Sequence, residues 1–286
     1  MRIRINDCDL FFDVYGSKLA IKSDRVEEKP TLIVLHGGHG FIDHTLYVEF
    51  WSQFSNIAQV VFLDQRGCGR SDVSKPDKWN LQQWADDLHQ FLIALNITKP
   101  IIAGVSMGGH VMCEYIKKHY AYPGGLIFCN TEAKFSLDMV CAKIQELGGV
   151  KPAKAFHDFY TNPNEKTFAA FTKLCIPFYA KKAYSPQELN RCIKNPEVFF
   201  RFCQHEVLNF NYLDVVNKIQ CPTLMLVGSD SLHLVDAAEE MAGKIDSKYV
   251  TLEVFEHAGA PVYKDEPDKS YKVVKEFLMK IAANDR

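Results

Sequence analysis

The feature that most constrains this chain is a repeated one. Short apolar runs, rich in β-favouring residues and bounded by turn residues, alternate with helix-like stretches. Thr31-Leu-Ile-Val-Leu, Gln59-Val-Val-Phe-Leu, Pro100-Ile-Ile-Ala-Gly-Val and Leu126-Ile-Phe-Cys are such runs. The pattern resumes late in the chain with Pro222-Thr-Leu-Met-Leu-Val and Tyr249-Val-Thr-Leu-Glu-Val-Phe. Runs of this length without polar alternation suit strands covered on both faces. In the stretch 80–97, Leu81, Trp84, Ala85, Leu88, Phe91, Leu92 and Leu95 step by threes and fours, with Asn80 placed to cap. The stretch 267–281 repeats this through Tyr271, Val274, Phe277, Leu278 and Ile281. Strands alternating with amphipathic helices predict an α/β fold, a mostly parallel sheet with flanking helices. Residues 3–6 and 9–15 read as an opening hairpin, and 23–29 as a short charged loop.

Composition narrows the function classes. The 286 residues are 47% hydrophobic and 24% charged, enough to bury a large core. Lys+Arg number 33 against 35 Asp+Glu, a net charge of −2, so neither a nucleic acid nor an anionic membrane is the expected partner. No apolar run approaches the roughly 18 residues of a membrane span. The start, Met1-Arg-Ile-Arg-Ile-Asn-Asp-Cys, lacks the apolar stretch of a signal peptide, which predicts a cytoplasmic protein. Nine cysteines run from Cys8 to Cys221 without a Cys-x-x-Cys pair. They read as reduced, buried thiols rather than a zinc site or a disulfide framework.

One region breaks the alternation. Between residues 130 and 220 no clear strand appears, aromatic residues are dense, and Pro152, Pro163, Pro177, Pro186 and Pro196 divide the chain into helix-sized pieces. This reads as a helical cap inserted into a core of residues 1–129 and 221–286. An aromatic inner face would suit a small-molecule ligand with an apolar part.

Gly104-Val105-Ser106-Met107-Gly108 follows a strand and precedes a helical stretch from 107 to 120. In that setting it is the Gly-x-Ser-x-Gly elbow, which presents a serine nucleophile on a sharp strand-to-helix turn. The helix N-terminus behind Ser106 favours the negative charge that develops on attack. His36-Gly37-Gly38-His39-Gly40 follows the strand that ends at Leu35. Such a loop brings a backbone N–H to a substrate carbonyl, so Gly38 and Met107 are the expected oxyanion-hole donors. His36 and His39 have no nearby acid in sequence and read as turn histidines, with no metal expected.

On these motifs, together with Asp64-Gln-Arg-Gly-Cys-Gly-Arg-Ser71, the chain resembles the α/β-hydrolase fold superfamily over almost its whole length. The Asp64 stretch is most similar to proline iminopeptidases and the esterases and lactonases related to them. Two positions depart from the aminopeptidase pattern: His39 replaces a proline, and Val105 and Met107 flank the serine where glycine and tryptophan are usual. Gly-x-Ser-Met-Gly-Gly is commoner among esterases and lactonases. A serine at the elbow also sets the chain apart from the aspartate-nucleophile epoxide hydrolases and dehalogenases.

The resemblance implies an acid and a histidine base later in the chain. The acid position, the third residue after Gly228, holds Ser231, with Asp230 immediately before it. Glu132, after the preceding strand, is a remote substitute. The base position, seven residues before Pro267, holds Ala260, and His257 three residues earlier is the fallback. Three readings fit: an altered chain whose base was removed, a shifted loop that uses His257, or a relative that binds ligand without turnover.

The expectation is therefore a serine hydrolase cleaving an ester, lactone or amide through an acyl-enzyme. Ser106 would be the nucleophile, Asp230 and His257 the acid and base, and no cofactor would be needed. The rivals are a ligand-binding receptor on the same scaffold, and an aminopeptidase that would use cap carboxylates such as Glu197 and Glu206 for the substrate amine.

Overall fold

The computed structural model describes residues 1–22, 24–232 and 234–284. The chain opens with strands β1 (Arg2–Ile5) and β2 (Cys8–Tyr15), paired antiparallel, followed by β3 (Leu19–Lys22), β4 (Arg25–Glu28) and β5 (Thr31–Leu35). Helix α1 (Val48–Trp51), strand β6 (Gln59–Leu63), helix α2 (Leu81–Ala94), strand β7 (Ile101–Val105), helix α3 (Met107–His119) and strand β8 (Gly125–Cys129) follow. Next come helices α4 (Leu137–Gly148), α5 (Val150–Thr161), α6 (Glu165–Leu174), α7 (Pro186–Arg191), α8 (Pro196–Phe202) and α9 (Leu213–Val216). Strand β9 (Thr223–Gly228), helix α10 (Val235–Lys244), strand β10 (Val250–Phe255) and helices α11 (Val262–Asp265) and α12 (Pro267–Asn284) complete the chain.

Eight strands form one sheet in the order β1-β2-β6-β5-β7-β8-β9-β10. From β6 to β10 every pairing is parallel, and β2 joins β6 antiparallel. The unbroken apolar runs are explained by what covers them. Ile33, Leu35, Val61 and Ile102 pack on one face with Leu88, Phe91, Val111 and Met241 of α2, α3 and α10. Leu32, Val34, Val60 and Ile101 pack on the other with Trp51, Val274 and Leu278 of α1 and α12. Because successive side chains of a strand point to opposite faces, both parities must be apolar. Asn80 caps α2 as expected, its side chain accepting the Gln83 N–H at 2.8 Å.

The charged-loop reading of 23–29 needs correction. Arg25–Glu28 is a strand, paired antiparallel with β3 as a separate two-stranded sheet; Ser23 lies outside the described residues. Ile21 and Val26 are 85% and 61% exposed there, so little apolar patterning marked the ribbon in the sequence. No helix among the described residues is long and apolar enough to cross a membrane.

Candidate active site

The C-terminal ends of the parallel strands converge on the turn after β7, the usual place for a ligand crevice in an open α/β sheet. Ser106 joins β7 to α3 with φ 49° and ψ −119°. For a residue with a Cβ this backbone is strained, by about 1–3 kcal/mol. The surroundings hold it in place. Ser106 donates its N–H to the Cys129 carbonyl at 2.9 Å, and its own carbonyl accepts from Gly109 N–H and Thr131 Oγ1, both at 2.8 Å. Glycine is required at 108 by close approach: a Cβ there would collide with the carbonyl oxygens of Leu35 and His36.

The loop after β5 faces this turn. Gly38 adopts φ +54°, and Gly37 donates its N–H to the Tyr47 hydroxyl at 3.1 Å. The two histidines of the loop are fully buried framework groups. His36 Nε2 accepts the Gln65 N–H at 3.3 Å, leaving its Nδ1 to donate to the Gly37 carbonyl at 2.9 Å. His39 Nε2 donates to Gln65 Oε1 at 2.8 Å, and its ring lies against Trp84. Burial pushes both imidazoles below their ordinary range, which keeps them neutral. Arg66, at the end of β6, is likewise structural: its guanidinium is buried and binds both oxygens of Asp87, at 2.7 and 2.9 Å.

Ser106, Met107 and Gly38 line one cavity of about 460 Å³. Its walls are mainly apolar, with Phe135 from the loop before α4 and Phe156, Phe171 and Phe199 from the helices between β8 and β9. Phe171 is packed among Phe156, Phe159 and Phe168 at ring separations of 4.8–6.2 Å. Among the described residues the ionisable groups on the wall are His110, Glu132, Lys181 and the phenols of Tyr47, Tyr160, Tyr179 and Tyr184. His110 and Glu132 are 2% and 6% exposed, with His110 Nε2 3.5 Å from Glu132 Oε1.

The expected acid and base positions are divided by the structure. Ala260 and Asn130 line the cavity. Ser231 is buried beside it, accepting from Asn130 Nδ2 at 3.3 Å. Asp230 does not line the cavity; it pairs with Lys181 at 2.5 Å, and that hydrogen bond holds its carboxyl below the usual carboxylate range. His257 is exposed on the turn after β10, at φ +61°, with its N–H donated to Ser229 Oγ at 2.8 Å. It too is absent from the cavity wall. Glu197 is exposed, and Glu206 is a half-buried group in a separate cleft with Trp79 and Glu114.

Three residues that the motifs did not single out stand at the site. Asn130 ties the loops after β8, β9 and β10 together, its Oδ1 accepting the Val262 N–H at 3.0 Å. Asp265 accepts backbone N–H groups from Gly259, Lys181 and Lys182 at 2.7, 3.1 and 2.7 Å. Ala260 also donates its N–H to the Tyr179 carbonyl, so the segment Tyr179 to Lys182 lies directly over the turn that carries Ala260. His110 is the third. Its only sequence signal is its place four residues after Ser106, on the same side of the helix.

Residues 27–259 match the family described as "Serine aminopeptidase, S33". The proline iminopeptidase PfmaB of Pestalotiopsis fici is 23% identical over 284 residues, covering 94% of this chain and 99% of its own. The proline iminopeptidase structure from Mycobacterium smegmatis superposes with a TM-score of 0.79 at 19% identity, over 100% of this chain and 99% of that one. The enol-lactonase of Burkholderia xenovorans LB400 does so with a TM-score of 0.70 at 17% identity, over 98% and 100%. The fold is thus that of the α/β-hydrolases, and with the family match over most of its length the chain belongs to the serine aminopeptidase S33 family of hydrolases.

Proposed function

We infer that this protein transfers the acyl group of an uncharged ester, lactone or amide to water through an acyl-enzyme on Ser106. The observation that carries this reading is the strained serine, held at φ 49° at the base of an apolar cavity of about 460 Å³. Strain of this kind persists only where neighbouring bonds over-determine it, and here those bonds present a hydroxyl to a ligand-sized space. The N–H groups of Gly38 and Met107 are assigned to the oxyanion. Met107 opens α3, so its N–H is among those a helix leaves without an internal acceptor.

Residues 130–220 act in this reading as the cap that sets specificity. Their aromatic wall favours an apolar acyl or alkyl group. An aminopeptidase needs a carboxylate near the substrate amine; neither Glu197 nor Glu206 is on the cavity wall, and Glu132, which is, faces the His110 imidazole at 3.5 Å. Esters and N-blocked amides are therefore the expected substrates, with free-amine prolyl compounds poorer.

A second reading has its own support. Ser231 and Ala260 stand where the acid and base of the resemblance would be, and the Asp230–His257 neighbourhood lies off the cavity wall. A binding protein on this scaffold would look the same.

Labelling with a fluorophosphonate, followed by intact-mass and peptide analysis, separates the two. The enzyme reading expects one covalent adduct on Ser106, lost in Ser106→Ala, and hydrolysis of p-nitrophenyl esters that depends on acyl length. A chain that binds an apolar ligand tightly but takes no label over hours would be a binding protein.

A further inference from the structure

A serine hydroxyl attacks a carbonyl efficiently only when a neighbouring group takes its proton. Alanine at 260 and serine at 231 cannot supply that group; His257 is off the cavity wall, and His233 lies outside the described residues. His110 is on the cavity wall one helical turn after Ser106. Side chains of a helix tilt toward its N-terminus, a direction that takes the His110 side chain toward the turn carrying the nucleophile, and both residues line the same cavity.

The ring is held in place. It packs against Phe210 at 4.1 Å and runs nearly parallel to Phe202, at 10° and 6.4 Å. Its Nε2 is 3.5 Å from Glu132 Oε1. Glu132 comes from the loop after β8, and that loop is fastened to the elbow by the Thr131 Oγ1 bond to the Ser106 carbonyl at 2.8 Å. Nucleophile, imidazole and carboxylate therefore sit on two segments that hydrogen-bond to each other, and all three line one cavity.

We propose that His110 is the general base for Ser106 in this chain, and that Glu132 is its positioning carboxylate. The assignment rests on the acyl-transfer reading above. As Ser106 Oγ bonds to the carbonyl carbon, its proton passes to the His110 ring and the C=O π pair moves onto oxygen. When that pair returns, the bond to the leaving group breaks, and the His110 proton goes to the departing oxygen or nitrogen. Water repeats the sequence to free the acid. Glu132 stabilises the imidazolium that exists between these steps.

Among the described residues, the charged and titratable groups around the pair are His39 on the β5 loop, Cys113 and, one turn after His110, Glu114 on α3, and Lys181, Tyr160 and Tyr179 from the helical segment. Glu114 is engaged by Lys117 and by the Tyr212 hydroxyl, at 2.6 and 2.7 Å, and Lys181 by Asp230.

The test is the second-order rate of fluorophosphonate labelling of the full chain from pH 5 to 9. His110→Ala is expected to lose roughly 10²–10⁴-fold, the usual worth of a general base, and to recover part of that with added imidazole. Glu132→Gln is expected to lose about tenfold or more and to move the pH midpoint of labelling downward. A purely structural role for either residue predicts neither rescue nor a moved midpoint. Should His110→Ala fail to fold by circular dichroism, Glu132→Gln decides: an unmoved midpoint overturns the proposal. A folded His110→Ala that labels at the parent rate also overturns it, as does loss of labelling on His257→Ala or His233→Ala in its place. In those cases Ser106 stands as the nucleophile. A parent that never labels removes both the base and the acyl-transfer reading.

Discussion

At the scale of single residues, the polar groups under the cavity are placed by carboxylates that gather backbone N–H donors. Asp265 is 5% exposed and accepts three of them. Asp265→Asn keeps the shape but turns one acceptor into a donor, leaving an N–H facing another. Hydrogen bonds to a buried charge are worth about 1.5–3 kcal/mol, so urea unfolding should show a loss of that order. A loss below about 0.5 kcal/mol would mean that the clamp is not structural. A second network makes a pH prediction. His44 Nδ1 meets Asp64 Oδ1 at 2.7 Å, and its Nε2 meets Asp13 Oδ2 at 3.3 Å. Burial pulls the His44 imidazole down, but the bond to Asp64 and the charges of Asp64, Asp43 and Asp13 together raise it above its ordinary value of 6.5. Burial pushes Asp64 up, and the His44 bond and charge, together with His36 and the Arg70 N–H, outweigh that and hold it below 3.8. The raised imidazole stabilises the fold fully below 6.5, and this contribution fades as pH rises through its folded value. The lowered carboxyl stabilises the fold above 3.8 and fades as pH falls through its folded value. His36 and His39, both shifted down, slope the opposite way from His44, so the parent alone cannot isolate the network. The difference in stability between the parent and His44→Gln should therefore shrink between pH 6 and 9. A difference that stays flat over that range would exclude a charged His44.

At the scale of elements, legibility followed burial. The strands at 31–35 and 59–63 were readable to the residue because both faces are covered and both parities must be apolar. The ribbon of β3 and β4 was not, since its side chains face water and backbone pairing leaves no mark on composition. The site divides the same way. Gly38, Ser106 and Met107 were legible because tight turns demand glycine at fixed offsets, and they line one cavity. His110 was not, since a lone histidine on a helix is more often a packed core residue. Asp265 was illegible because its partners, Gly259 and Lys181, come from segments far apart in sequence. Tertiary contact alone assembles them. Side chains from the segment between β8 and β9 line the cavity, among them Phe135, half-buried on its wall and stacked on Tyr160 at 5.3 Å. Phe135→Ala would lengthen the cavity at modest cost, because the ring is not at the centre of the core. Among p-nitrophenyl esters, kcat/KM should shift toward longer acyl chains by about tenfold, within the 1–3 kcal/mol that a pocket contact is worth. An unchanged ranking would place the acyl group elsewhere in the cavity.

At the scale of the whole molecule, the helical segment and the sheet are one packed body. A single apolar cluster runs from Ile33 and Phe91, beside the sheet, through Val111 of α3 to Phe156, Phe171 and Phe199. Polar fastenings join the same parts at separate places. Asn195 donates its N–H to the Gly40 carbonyl at 2.7 Å, Ile193 to Asp43 at 2.8 Å, and Ala260 to the Tyr179 carbonyl. Opening the helical segment as a unit would break these bonds, expose the Phe-rich face and uncover the elbow together. Such a segment lacks an apolar core separable from the rest, so it should not unfold independently. Calorimetry is expected to give one transition whose calorimetric and van't Hoff enthalpies agree. Tryptophan fluorescence, which reports Trp79 and Trp84 on one face of the sheet and Trp51 on the other, should follow far-UV circular dichroism through the same midpoint. An apolar ligand that fills the cavity must then raise that one midpoint, by about 2.7 kcal/mol of added stability at a hundredfold excess over Kd. Two resolved transitions, with the ligand moving only the lower, would instead make residues 130–220 an autonomous lid. Entry to Ser106 would then proceed by melting that lid.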